Sequence, residues 1–476
     1  LAIHITRGPV TFLCGSTVEA DDYISETTLY TGYHSLSFTP SGTFHLTFKT
    51  KDLTDRIVGS VAIESAGAVA VTTPWAVDTG DAVDIDNIRY DQSADVVFAS
   101  AYGKKQMKIE RRGATGRSWS VVEYLPQNGP FYDSRTTPVT LKPSSTWGNT
   151  TLTSNENFFE AGHVGTLFRL LHDGQGGFYK FTAEDTYSDV WSVTGVGSTT
   201  ERRAVVTTTG TWTANLRVQR SYTSSTSGFR NVANITTNTA TNVDDADDNV
   251  TVYYRLAIPV GDFTSGRVSA AVAYTGGGKD GVCRVTKYNT ETSVDIEVLS
   301  RFGDTGPVSD WAESKWSDAQ TFPSSVALHE GRLWWFGGAQ IFGSVSDDYE
   351  NWNAGTVGDS SPISRIIGSG PVDRINFALP LTRLFIGSSG EEISVRSSNR
   401  DDVLTSANIS AKAVSNLGSS NARALKIDDR GLFVQRSQSR VYLLEYDASS
   451  NDYRPSELTL LVPDLLSGVS SIAFAR

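Results

Sequence analysis

This chain of 476 residues lacks most of the features that announce chemistry. Its only two cysteines, Cys14 and Cys283, support neither a disulfide framework nor a thiolate metal site, leaving two free thiols or one bridge. The six histidines, at 4, 34, 45, 163, 172 and 329, show no H-x-H or H-E-x-x-H spacing, and none lies beside a cysteine. There is no G-x-S-x-G elbow and no phosphate-cradling loop. Gly276-Gly277-Gly278 runs into Lys279 without a strand–loop–helix context and reads as a turn, and HDGQGG at 172–177 reads as a hairpin tip. No catalytic, cofactor-binding or metal-binding residue is expected, and the chain is not expected to be an enzyme.

Basic runs are also missing. The net charge is −12 and the pI about 5.1, whereas a duplex binder gathers Lys and Arg against phosphates. An acidic wall past which DNA slides without sticking agrees with the same charge. No apolar run approaches the ~20 residues of a membrane-spanning helix. No secretory signal is visible, and the chain opens on Leu1 and stops at Arg476 after the strand-like SSIAFA, so residues are expected to be missing at both ends. Helical periodicity is scarce as well. FFEAGHVGTLFRLL at 158–171 has two internal glycines and suits a strand pair better than a helix, while LTLLVPDLL at 458–466 has room for one short helical turn.

What the chain has in quantity is short alternating apolar–polar runs between polar or glycine turns, the pattern of half-buried antiparallel strands. HSLSFT (34–39), FHLTFKT (44–50), MKIERR (107–112) and SWSVVEYL (118–125) are examples. After Asn128-Gly129-Pro130 the composition shifts to Thr, Ser, Gly and Asn, and strands such as VTVYYRLAIPV (250–260) suggest one or two β-sandwich modules. Within that block, NVDDADDN carries Asp244, Asp245, Asp247 and Asp248. It reads as a solvated acidic loop or, more sharply, as a Ca²⁺ site, although EF-hand spacing is absent.

The first pattern returns in the last third. SADVVFAS (93–100), EGRLWWFGG (330–338), LTRLFIGSS (381–389) and DRGLFVQRS (429–437) each place a strand after a polar turn, and each is followed by a further strand. Spacings of ~40–50 residues built from several strands are what propeller blades produce. The fold class expected is therefore all-β, with propeller-like blades of antiparallel sheet interrupted by inserted β-sandwich-type domains. The expected regions are 1–130, an insertion at 131–307, and 308–476.

The run SSVALHEGRLWWFGGAQIFGSVSDDYENW (324–352) holds the candidate blade turn: Arg332, Trp334, Trp335, Asp347 and Trp352. Trp334 and Trp335 point to opposite faces of one strand, so one is core and the other faces solvent or a neighbour. Asp347 and Trp352 have the separation found in the Asp-box turn of sialidases, but Val345 and Tyr349 replace its Ser and Gly. That keeps open a glycan-binding or glycoside-hydrolase propeller, tailspike-like or sialidase-like, which needs two facing carboxyls or a Tyr–acid pair. Asp347 and Asp348 are expected to cap their own turn through side-chain bonds to nearby NH groups.

Several stretches together resemble the tail nozzle proteins of short-tailed bacteriophages, the tubular tail protein B type. They are TPWAVDTGDAVDIDNIRYDQSADVVFAS (73–100), IERRGATGRSWSVVEYLPQNGPF (109–131), FFEAGHVGTLFRL (158–170), DWAESKWSDAQTFPSSVALHEGRLWWFGG (310–338), RINFALPLTRLFIGSSGEEISV (374–395) and ELTLLVPDLLSGVSSIAFA (457–475). The resemblance implies a structural virion protein at the distal end of the tail, assembled in the host cytoplasm. It implies a ring, usually a homo-hexamer, that lines the DNA exit channel and contacts the tail tube adaptor and tail fibres. Double-stranded DNA would pass through without specific binding, with the acidic loop at 244–248 facing the channel. A distal hub of a longer-tailed phage is the related alternative.

Overall fold

The computed structural model describes the chain except residues 52–53, 65–69, 76–86, 114–115, 173, 194–201, 246–249, 275–278, 357, 368–373, 398–401, 463 and 475–476. The glycine run at 276–278 and Asp247 and Asp248 therefore lie outside the described residues. Regular structure among the described residues is antiparallel strand, apart from short 3-10 turns such as Ala161–His163. That turn and the strand Leu167–His172 account for the 158–171 segment.

Two compact units are present: residues 1–130 together with 314–476, and Phe131–Glu313. The insertion extends past residue 307 because strand Val308–Glu313 pairs with Arg135–Pro143 and Leu167–His172 inside the second unit.

The first unit holds four up-and-down meanders. The strands Arg89–Ser93, Val96–Ser100, Met107–Arg112 and Ser118–Glu123 form one, extended by Gly32–Ser35, Ala2–Arg7 and Ile57–Ala62 into a seven-stranded sheet. The others span 325–366, 375–415 and 425–457, each a separate four-stranded sheet. A smaller sheet of Ile24–Leu29, Val10–Gly15 and His45–Lys49 completes the unit.

The leading strands of the meanders are tied to one another in a circuit. Leu328 N–H donates to Asp91 Oδ2 at 2.7 Å, and Ser324 Oγ donates to the Ile375 carbonyl at 2.7 Å. Asn376 Nδ2 donates to the Ser419 carbonyl at 2.9 Å. The circuit returns through Arg89, which donates to the Asn376 carbonyl and to Asn421, and through Arg423, whose guanidinium lies 3.9 Å from the centre of the Tyr90 ring. Arg89 is buried, so its charge is offset by carbonyl dipoles rather than by water.

The second unit is an insertion within an insertion. Six strands, Arg135–Pro143, Asn149–Ser154, Ser293–Ser300, Lys279–Thr290, Leu167–His172 and Val308–Glu313, close into a barrel. Alternate residues point inward, and Leu141, Leu152, Phe168, Leu170, Val285, Ile296 and Trp311 share its core. Between the barrel strands Leu167–His172 and Lys279–Thr290, the chain builds three further sheets: two larger ones with a separate core that includes Val206, Leu216, Val218, Tyr254, Leu256 and Val272, and a two-stranded one of Trp212–Ala214 and Phe263–Gly266. The sandwich expectation thus covers only the inner part, and a closed barrel carries it.

Two local expectations are corrected. HDGQGG is not a hairpin tip: Leu167–His172 pairs with Lys279–Thr290 whereas Gln175–Phe181 pairs with Val268–Tyr274, so the segment carries the chain from barrel to sandwich. The 458–466 segment contains successive i→i+3 turns, from Val462 to Thr459 and from Leu465 to Val462, instead of an α-helical turn.

Candidate functional site

The LWWF run forms the strand Arg332–Gly337 in the middle of its meander. Trp334 and Trp335 do lie on opposite faces, and both are fully buried. Trp334 packs with Ile375, Leu384 and Ile386 of the following meander. Gly343 sits opposite it in register, and a Cβ there would come within 3.1 Å of the indole. Trp335 packs on the other side with Phe98, Tyr124, Trp316 and Trp352. Each indole therefore fills a seam between neighbouring sheets. A third seam, of Phe377, Phe385, Phe433 and Tyr453, joins the last two meanders.

Arg332 is buried too. Its guanidinium donates to the carbonyls of Ser344 (2.5 Å), Ser361 (2.8 Å), Ser360 (3.2 Å) and Asp359, holding the 344–361 excursion against the sheet. Asp347 adopts a left-handed φ of 60° and its N–H donates to the Gly331 carbonyl at 2.7 Å. The Asp348 carboxylate accepts from the Asn351 side-chain amide at 3.0 Å rather than from a backbone NH. Backbone bonds close this turn, so the side-chain capping expected of the two aspartates is replaced. Trp352 donates from Nε1 to the Tyr124 hydroxyl at 2.8 Å, and its N–H donates to Asn128 Oδ1 at 2.8 Å. SVSDDYENW is thus wall, pinning 124–128 to the C-terminal part of the same unit. A carbohydrate platform made of Trp334, Trp335 and Trp352 is ruled out by their burial.

The acidic stretch is also different from the expectation. Asp244 ends the strand Ala240–Asp244 and forms a bidentate pair with Arg203 at the surface. Asp245 is buried, accepting from Arg202 at 3.1 Å and from the Tyr254 hydroxyl at 2.5 Å. Burial, followed by the adjacent Asp245 carboxylate, pushes the Tyr254 phenol up. A buried, paired Asp245 cannot face a DNA channel, and that part of the reading is withdrawn.

Other ionisable groups are mostly consumed in packing. Ser120 Oγ lies 2.7 Å from His34 Nδ1, a spacing suggestive of a nucleophile and its base, but Ser120 is fully buried and Arg112 also donates to it at 2.6 Å. Burial holds the His34 imidazole down to about 4, so it is neutral. Glu392 is fully buried, bonded by Ser415 Oγ, and burial pushes its carboxyl up to about 7. Cys14 and Cys283 are free and buried, with burial raising both thiols. No cluster of three or more metal-ligating side chains occurs among the described residues. No described helix is long and apolar enough to cross a membrane.

One open site carries no signal in the sequence. A cleft of about 730 Å³ lies in the second unit, lined by the 144–146 loop, the start of strand Gln175–Phe181, and residues 304–308. Arg301 pairs with Asp189 there, and the Tyr179 phenol is pushed up to about 12 by burial and then by Asp189. No protein-family model matches the chain, and no curated protein matches it.

Proposed function

We propose that the chain is a structural virion protein, a copy in the oligomeric ring that forms the nozzle at the distal end of a phage tail. The four meanders of the first unit are blades of a propeller-like body, and copies meet side by side around the DNA exit channel. Tail fibres and the tail adaptor dock on the outside. The protein makes no covalent chemistry in this role.

The resemblance to tail nozzle proteins supplies the specific assignment. The single structural observation that supports it is where the apolar surface remains. In a unit whose buried indoles Trp334, Trp335 and Trp352 are spent on internal seams, two apolar strips stay exposed. One is Ile57, Val58, Val61 and Ile63 on an edge strand and the residue just beyond it, and the other is Leu458, Leu460, Leu461, Val462 and Leu465. Leu461 is 91% and Ile63 79% exposed. Exposed large apolar side chains close together in sequence are candidates for an interface, and a strand at the edge of its sheet among the described residues is a ready-made pairing site. Another copy of the same chain is the occupant a ring requires.

The net charge of −12 suits the same role, because carboxylates facing a channel repel phosphate. With Asp245 withdrawn, that function rests on the overall charge and on groups other than the Arg202-paired carboxylate. Electron microscopy of the purified chain tests the reading: closed rings with a central hole are expected, and particles of single chains would overturn it.

A further inference from the structure

The geometry points to the cleft of the second unit as a binding site for a short neutral oligosaccharide. Its volume, about 730 Å³, falls within the range of small-ligand sites, roughly 300–1,000 Å³.

Glycine builds the cleft. The backbone at Gly303 passes so close to Gly174 that a Cβ on residue 303 would come within 2.4 Å of the Gly174 carbonyl oxygen, and Gly176 N–H donates to the Gly303 carbonyl at 3.1 Å. On the strand Gln175–Phe181, a Cβ at Gly177 would strike the Tyr179 ring. Tyr179 can therefore lie along its own strand with its hydroxyl toward Arg301. A Cβ at Gly176 would reach within 3.9 Å of Asp304 Oδ2, which places that carboxylate beside bare backbone.

The chemistry of the lining selects the ligand class. Two carboxylates, Asp189 and Asp304, stand against one guanidinium, Arg301, and Asp189 and Arg301 neutralise each other. Lys279, close enough to Arg301 to act on its charge, makes the local balance two carboxylates against two cations, so the cleft offers phosphate, sulfate and acidic sugars no net attraction, and Asp304 meets them at the lining itself. Asp304 accepts from the Thr305 N–H at 2.5 Å through one oxygen, and a carboxylate has capacity for further donors such as paired sugar hydroxyls. Ser144, Ser145 and Thr146 edge the same space, and Thr146 Oγ1 accepts from Arg301 at 3.2 Å. Phe178 lines the cleft yet is 61% exposed, with the Lys180 ammonium 5.8 Å from its ring centre. The negative π-face accepts the partly positive C–H groups of a pyranose ring, which explains a large apolar ring left in water beside a polar cleft.

This assignment is independent of the nozzle reading, since it concerns the second unit alone and requires no neighbouring copy. Saturation-transfer NMR and calorimetry on the full chain would use maltotriose and triacetylchitotriose as neutral probes and sialyllactose as the acidic one. At least one neutral trisaccharide is expected to bind at millimolar concentration or below, and sialyllactose at least tenfold more weakly. Asp304→Asn and Phe178→Ala are expected to weaken the neutral ligand about tenfold or more. Both side chains are at the cleft surface, and unchanged melting and circular dichroism would show the fold intact. Absence of binding by both neutral probes, binding that survives both substitutions, or equal binding of sialyllactose would each overturn the proposal. A monomer that binds the sugar would sink the ring and leave this site standing; a ring that ignores sugar would do the reverse.

Discussion

The two units hold antiparallel sheet together in opposite ways. In the first, every meander pairs strands that follow one another in sequence, and neighbouring sheets are joined by side chains: Trp334, Trp335, Trp352 and Arg89. In the second, closure is made by backbone pairing between distant segments, with Leu141 opposite Val308 and Leu152 opposite Val294. The first arrangement spends its buried indoles and Arg89 in seams. The second satisfies itself through the ladder and leaves Phe178 and Asp304 facing a cleft.

The sharpest way to break this contrast is to remove a seam. Trp335→Ala deletes a fully buried indole shared by two meanders and is expected to cost about 3–5 kcal/mol. Urea unfolding followed by tryptophan fluorescence and hydrogen exchange would show the loss in the first unit, with protection of the barrel amides retained. Equal loss of protection in both units would contradict the division. In the second unit, Asp245→Asn removes the charge from the buried Arg202–Asp245 pair and is expected to cost about 3 kcal/mol, near the lower end for a broken buried pair. Chemical denaturation of the variant beside the parent measures it, and an unchanged midpoint would refute it.

The pH dependence comes next in size and belongs to the first unit. His34 is held neutral, down to about 4 against an ordinary 6.5. Its stabilising contribution is present above 6.5 and falls by about 3 kcal/mol as the pH drops toward 4, because the unfolded imidazole takes up a proton first. Glu392 has the opposite sign. Its carboxyl is raised from 4.5 to about 7, so its contribution is complete below 4.5 and falls by about 3 kcal/mol as the pH rises through 7. The two slopes oppose each other between 4.5 and 6.5. Glu392→Gln is expected to be more stable than the parent at pH 8 and to expose the acid-side loss from His34. A parallel stability curve for the two proteins from pH 4 to 8 would rule this out. The smallest effect is at the surface: Asp244→Asn, next to Asp245 in sequence but solvent-exposed, should change stability by about 1 kcal/mol or less.

The same contrast explains what the sequence discloses. Strand alternation and the opposite facing of Trp334 and Trp335 are local properties, legible in a window of a few residues. So is the change of composition after Pro130. The barrel is not legible, because its pairings join segments as distant as Arg135 and Trp311, and alternation looks alike in a barrel and a sandwich. Asp245 reads as solvated because its partner, Arg202, lies 43 residues earlier and its burial depends on that pairing. Asp347 resembles a capping residue, yet the turn is closed by backbone bonds that composition does not encode. The cleft is invisible for a related reason: its lining comes from five separated parts of the chain, around Thr146, Gly176, Asp189, Ala273 and Asp304, none of which carries a motif alone.

The claim that the first unit is ring architecture is tested most directly by native mass, measured on the chain and on a variant combining Ile63→Asp with Leu461→Asp, both at exposed positions where the monomer fold should not suffer. A mass of about six chains that collapses to one in the variant is the expected result. A single-chain mass for the unaltered protein at micromolar concentration, or an assembly indifferent to both substitutions, would contradict the account.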